Sequence, residues 1–169
     1  MRYMFHVIFL LFIACFQGTL SNTMAIAGVS VNLFIIYISI ISFLAYKTEG
    51  IIVAGAYGLV LDILTARFEG IYTVLFIIIA FFIYNMAYKV FKEPKFYICA
   101  LIVLFSSIFI NTFYYLIAFL ILHSVDIKYA IFRIILLEGF FDAIVSVPLY
   151  FLIRRITEHF YADKGEFIG

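Results

Sequence analysis

Charge is scarce in this chain: Lys, Arg, Asp and Glu together make up 12% of it, tryptophan is missing, and there are two prolines and two cysteines. Each scarcity excludes something. So few charged side chains cannot cover the surface of a water-soluble globule of 169 residues. A net charge of +1 with no basic stripe excludes a nucleic-acid interface, which must neutralise phosphates. Cys15 and Cys99 both fall in apolar runs and read as core fillers rather than a disulfide or metal pair. There is no Gly-X-Gly-X-X-Gly, no phosphate-binding loop, no His-Glu-X-X-His and no Cys-X-X-Cys. The histidines His6, His123 and His159 are scattered near expected helix ends and read as interfacial side chains.

What is present is apolar. Hydrophobic residues make up 67% of the chain and the mean hydropathy is +1.22, values that indicate an all-α polytopic membrane protein forming one domain over residues 1–169. Apolar runs and their punctuation predict helices over residues 3–20, 26–46, 51–65, 71–90, 96–122 and 129–153, with a polar tail at 154–169. Arg2 before the first run resembles a signal peptide. The run continues past Cys15 to Thr19, however, so an uncleaved first helix is expected. Six crossings put both termini on one side. Arg2, Lys47, Lys89, Lys92, Lys95, Arg154, Arg155 and Lys164 share that side against Arg67, Lys128 and Arg133, which makes it the cytoplasm. Tyr3, Tyr46, Tyr72, Tyr88, Tyr97 and Tyr129 fall near helix ends, where tyrosine suits the headgroup layer.

The stretch from Gly50 to Gly70 is the most distinctive. Its apolar core, Ile51 to Thr65, covers roughly 22 Å, short of the ~30 Å hydrocarbon layer. Ala54, Gly58 and Asp62 recur every fourth residue and share one helix face, where two small side chains lead to a carboxylate. That face suits another helix. Glu138 and Asp142 in the sixth helix also share a face, with Asn111 of the fifth at similar depth, so a polar cluster open toward the outer leaflet is expected. Such a pair either does ion or acid/base work or clamps helices together. Ser106 and Ser107 have no histidine at their depth and are expected to bond back to their own helix.

In order along the chain, these residues resemble the rod-shape-determining membrane protein MreD family in its form from low-GC Gram-positive bacteria. Gln17 with the small residues after it is similar to the end of that family's first helix. Val31-Asn32-Leu33-Phe34 is similar to its Pro-Asn/Asp-Leu-Leu entry to the second, with Val31 in place of the proline. Gly55 through Gly58-Leu59-Val60-Leu61-Asp62, then Gly70, resembles its glycine-rich third helix. Glu138, ten residues before Pro148-Leu149-Tyr150, resembles its last helix, where Asp142 replaces the usual Asn.

The resemblance implies a non-enzymatic scaffold of the elongation machinery in the bacterial cytoplasmic membrane, with no cofactor. It implies binding to a bitopic MreC-like protein and, indirectly, to MreB filaments and RodA with its transpeptidase. It also implies the six-helix form of the substrate-binding subunits of energy-coupling-factor vitamin transporters, and such a subunit is the alternative reading. Small residues toward the outer end of the first helix, Ala14 and Gly18, weigh against that alternative.

Overall fold

The computed structural model describes residues 2–23, 31–44, 47–65, 70–90, 95–122 and 135–161. Among these residues the chain forms six helices and no strand: α1 (Arg2–Thr23), α2 (Leu33–Leu44), α3 (Lys47–Thr65), α4 (Ile71–Val90), α5 (Phe96–Leu122) and α6 (Leu136–Tyr161). Three helices are long and apolar enough to cross a membrane, over Thr48–Thr65, Phe96–Ile121 and Leu136–Glu158. The others carry shorter apolar stretches, Met4–Gly18, Leu33–Leu44 and Ile71–Ala87.

The centre of the bundle is α2. A helix that is apolar all round must be buried all round, and every residue from Phe34 to Leu44 is buried. Each of the other five helices packs against it, with α3 paired to α4 and α5 to α6 on its flanks. Polarity is distributed inside out. Leu11, Ile63, Phe105, Leu120 and Phe140 face outward, whereas Asn32, Asp62, Ser107, Asn111 and Asp142 lie inside. Soluble monomers rarely expose apolar surface on this scale, so the arrangement fits a lipid surround.

The Ala54, Gly58, Asp62 face meets its helix within the chain, and that helix is α4. A Cβ on Gly58 would stand 2.5 Å from the Thr73 Cα and 2.9 Å from the Thr73 nitrogen, so only glycine lets the two backbones approach this closely. One turn further, Asp62 accepts hydrogen bonds from the backbone N–H of Tyr72 (2.9 Å) and Thr73 (3.0 Å) and from the Thr73 hydroxyl (2.6 Å). These are orphan donors at the start of α4, and the positive end of that helix favours a carboxylate there. Gly70, at φ +92°, supplies a left-handed turn into α4 that side chains disfavour, and its carbonyl takes the bond from Val74.

Several expected boundaries change. The third helix begins at Lys47 rather than Ile51, which makes it long enough to cross a membrane and not a stub. The second begins at Leu33 rather than residue 26, because Asn32 caps it; residues 24–30 lie outside the described ones. The last continues past residue 153 to Tyr161, so Arg154 and Arg155 are helical rather than part of a tail. The 2.7 Å bond from Arg154 to Glu158 supports that extra turn. Residues 129–134 and 162–169 lie outside the described ones. Pro148 sits inside α6 and removes one backbone bond. Next to that gap, the Ser146 hydroxyl donates to the Ala143 carbonyl at 2.7 Å.

Gly58→Ala is expected to force α3 and α4 apart, at a cost of about 1–3 kcal/mol and a melting midpoint roughly 2–12 °C lower. Gly18→Ala, whose Cβ would meet nothing within 4 Å, is expected to leave the midpoint unchanged or slightly raised. Thermal unfolding in detergent, followed with a thiol-reactive dye as buried Cys99 becomes exposed in a Cys15→Ser background, measures both.

Candidate functional site

The site is built around the start of α2, which lies inside the protein. Asn32 is 9% exposed, so the donors in this first turn are largely withdrawn from solvent. Three side chains bond them instead. The Asn32 backbone N–H donates to Asp142 Oδ1 at 2.8 Å, and the Leu33 N–H donates to Gln17 Oε1 at 3.0 Å. The Ile35 N–H donates to the Asn32 side-chain oxygen at 3.3 Å, the usual N-cap bond. Gln17 Nε2 also donates to the Val31 carbonyl at 3.0 Å, so this one amide grips the entry to α2 on both sides.

From Asp142 the network runs to α5. Asp142 Oδ2 accepts from the Ser107 hydroxyl at 2.7 Å, and Ser107 Oγ accepts from Asn111 Nδ2 at 3.3 Å. Ser106 bonds back to its own helix at Ile102, as expected, but Ser107 turns to Asp142. A buried carboxylate in the facing helix is the better acceptor. The Glu138 carboxyl lies within reach of the side chains of Asn111 and Asn32. Gln17, Asn32, Asn111, Glu138 and Asp142, which are spread across 126 positions of the sequence, thus meet in one network.

Beside this network opens a recess of about 360 Å³, lined by residues of α1, α3, α4, α5 and α6, including Ala14 and Gly18, and by Asn32 at the start of α2. Its lining combines the ends of α1, α3 and α5 with the starts of α2, α4 and α6, as in helices that alternate in direction. Tyr72, expected in the headgroup layer, is buried instead. Its ring stacks on Tyr114 with centroids 4.6 Å apart, and its own backbone N–H is fixed by Asp62. Gly58 and Asp62 hold α3 to α4, with Gly70 turning the chain into α4 and Ala54 buried on the same face of α3; among the described residues of that stretch, Leu61, Leu64 and Thr65 line the recess. Pro148 lies on the exposed side of α6, two turns from Asp142.

Toward the other end lies a second polar knot. His6 is buried, not interfacial as expected: its Nε2 stands 2.9 Å from Glu49 Oε1 and its Nδ1 2.7 Å from the Tyr37 hydroxyl. An ionised Glu49 can only accept, so His6 Nε2 donates to it, and the Tyr37 hydroxyl pairs with Nδ1 on the other side of the ring. The Tyr57 hydroxyl donates to the His6 carbonyl at 2.8 Å, and its ring stacks on Tyr37 with centroids 4.9 Å apart. Sequence reasoning missed Glu49 because it reads as one charge in a short polar link, 43 positions from its partner. Cys99 is buried as expected and Cys15 is exposed, because it falls on the outward face of α1. His123 lies outside the described residues.

Among the described residues no three His, Cys, Asp or Glu side chains converge to hold a metal ion. Chemically, the site can cap a helix and hydrogen-bond a ligand through Glu138 and the amides. A test of its structural part follows from the Asp142 geometry. Asp142→Asn keeps an acceptor for the Asn32 N–H, and its amide can donate to Ser107, so stability is expected to change by less than about 1 kcal/mol. Asp142→Leu leaves the Asn32 N–H without that acceptor and is expected to cost about 1–3 kcal/mol. The same thiol-exposure melt ranks the two.

Comparisons of the chain with protein-family models, curated proteins and solved structures return no match in any of the three.

Proposed function

We propose that this chain is an MreD-like, non-enzymatic scaffold subunit of the bacterial cytoplasmic membrane. In this reading all six helices cross the bilayer with both termini in the cytoplasm, and the protein binds an MreC-like bitopic partner in support of lateral wall synthesis. One observation carries it: Asp62 and Asp142, two of the three acids expected within the membrane, are spent on backbone donors at buried helix starts. Acids used in that way hold a shape. Of the residues on which the family resemblance rests, Gln17, Asn32, Gly58 and Asp62 join one helix to another, which supports reading them as fold determinants.

Because α4 occupies the Ala54, Gly58, Asp62 face, the partner surface must lie elsewhere. The best candidate is the apolar groove between α4 and α5, lined by Ile79, Phe82, Met86, Leu101, Phe105 and Phe113 among others. Along α5 its lining runs from Tyr97 to Phe113, roughly 24 Å, which is most of the ~30 Å hydrocarbon layer. Its described lining contains no Asp, Glu, Lys, Arg or His. A bitopic protein brings one membrane-crossing helix into the bilayer.

Affinity purification of the tagged protein from its native membrane, with mass spectrometry, tests the proposal. An MreC-like protein together with RodA-type wall synthases is expected, and Leu101→Trp with Phe105→Trp is expected to reduce recovery of that protein at least fivefold. Recovery of a transporter ATPase pair in their place overturns the scaffold reading. Undiminished recovery with the filled groove rejects the groove as the interface.

A further inference from the structure

Glu138 is the acid of the recess that no helix start consumes. Asp62 and Asp142 accept backbone N–H groups, whereas Glu138 lines the cavity and is approached by the side-chain amides of Asn32 and Asn111. An ionised carboxylate has about four acceptor positions, so two amide donors steady it and leave capacity for a ligand. Tyr72 and Tyr114 are stacked in the same lining, with Tyr115 set edge-on to Tyr114 at 5.8 Å. Among the described lining residues there is one acid and no base.

We infer that this recess binds a small organic cation, a primary or quaternary amine with an apolar body, with its charge toward Glu138 and its body against the tyrosine rings. A carboxylate in a cavity of low polarity selects for positive charge, and aromatic faces attract the same charge through their quadrupoles. An anionic ligand would meet Glu138 as a like charge. A divalent metal would want several carboxylate or carbonyl oxygens, and among the described residues no three metal-binding side chains converge. The volume of about 360 Å³ lies at the small end of ligand pockets, which limits the occupant to the size of a single amino acid or a nucleobase. The described lining places the recess toward the end of the bundle where α2, α4 and α6 start. The inference rests on the recess alone and is independent of which proteins the chain assembles with.

The test uses the full chain in lipid nanodiscs and three probes of one size: 2-phenylethylamine, its neutral isostere 2-phenylethanol, and phenylacetate. Titration calorimetry gives the binding curve, and because the chain has no tryptophan, the emission of its 13 tyrosines, of which Tyr72, Tyr114 and Tyr115 line the recess, gives a second reading. The amine is expected to saturate at least tenfold more tightly than the alcohol, with no binding of the acid. Glu138→Gln is expected to remove that preference, and Tyr115→Leu to weaken amine binding several-fold while keeping the charge preference. Equal binding of amine and alcohol, undiminished amine binding by Glu138→Gln, or no saturation by the amine at 10 mM overturns the inference. If Glu138→Gln does not fold, the amine-against-alcohol comparison on the unaltered protein decides. Amine binding without recovery of an MreC-like partner would fault the scaffold reading and leave this one standing.

Discussion

A helix that begins in the interior of a protein must find acceptors for its first N–H groups among side chains, because neither water nor lipid supplies any. The first turn of α2 poses that demand at the middle of this bundle. Gln17 from α1 and Asp142 from α6 answer it, together with the cap that Asn32 makes for its own helix. The positions of the outer helices follow from this. α6 is placed by Asp142, α5 by the Ser107 bond to the same carboxylate, and α1 by the two-sided grip of Gln17 on the chain at Val31 and Leu33. The polar recess is a by-product of the same demand, since the amides gathered to satisfy α2 also edge a space that six helix ends leave open.

How much of this was legible in the sequence depended on whether the signal was local. The bounds of α4 and α5 could be read directly, because Gly70 and the charged link around Pro94 punctuate them. The four-residue spacing of Ala54, Gly58 and Asp62 announced a helix contact, yet it could not say that the contact is with the next helix of the same chain. The stretch that looks most distinctive is therefore one half of a hairpin, and the centre is α2, whose uniform apolarity looked unremarkable. The start of α2 was misplaced although its cap, Asn32, is local, because the apolar run gives no sign that the chain is pinned there by a carboxylate 110 positions away. His6 and Glu49 were missed for the same reason, since neither lies in a pattern that names the other.

The two polar knots do different work in the architecture. Around His6, Tyr37, Glu49 and Tyr57 the side chains bond or stack on one another and draw α1, α2 and α3 together. Around Asn32 the bonds go largely to backbone, which fixes where a helix begins rather than how two helices pair. A polar group buried among apolar helices is costly unless it is bonded, so both knots resist sliding of the helices they join. The groove between α4 and α5 contains no comparable bond among its described lining residues, and there the bundle presents only apolar surface.

The bond between Asn32 and Asp142 has a consequence for synthesis. A ribosome releases the chain from its N-terminus, so α1, α2 and α3 leave it with the His6 knot already able to close, its partners being at most 51 residues apart. Gln17 can reach Leu33 earlier still, at a separation of 16. The Asn32 N–H has to wait until the last helix is made, 110 residues later. Through most of translation the central helix therefore enters its neighbours with one donor unanswered, and arrival of α6 is the step that completes it. A chain truncated before Asp142 is one that cannot finish the start of its own core helix.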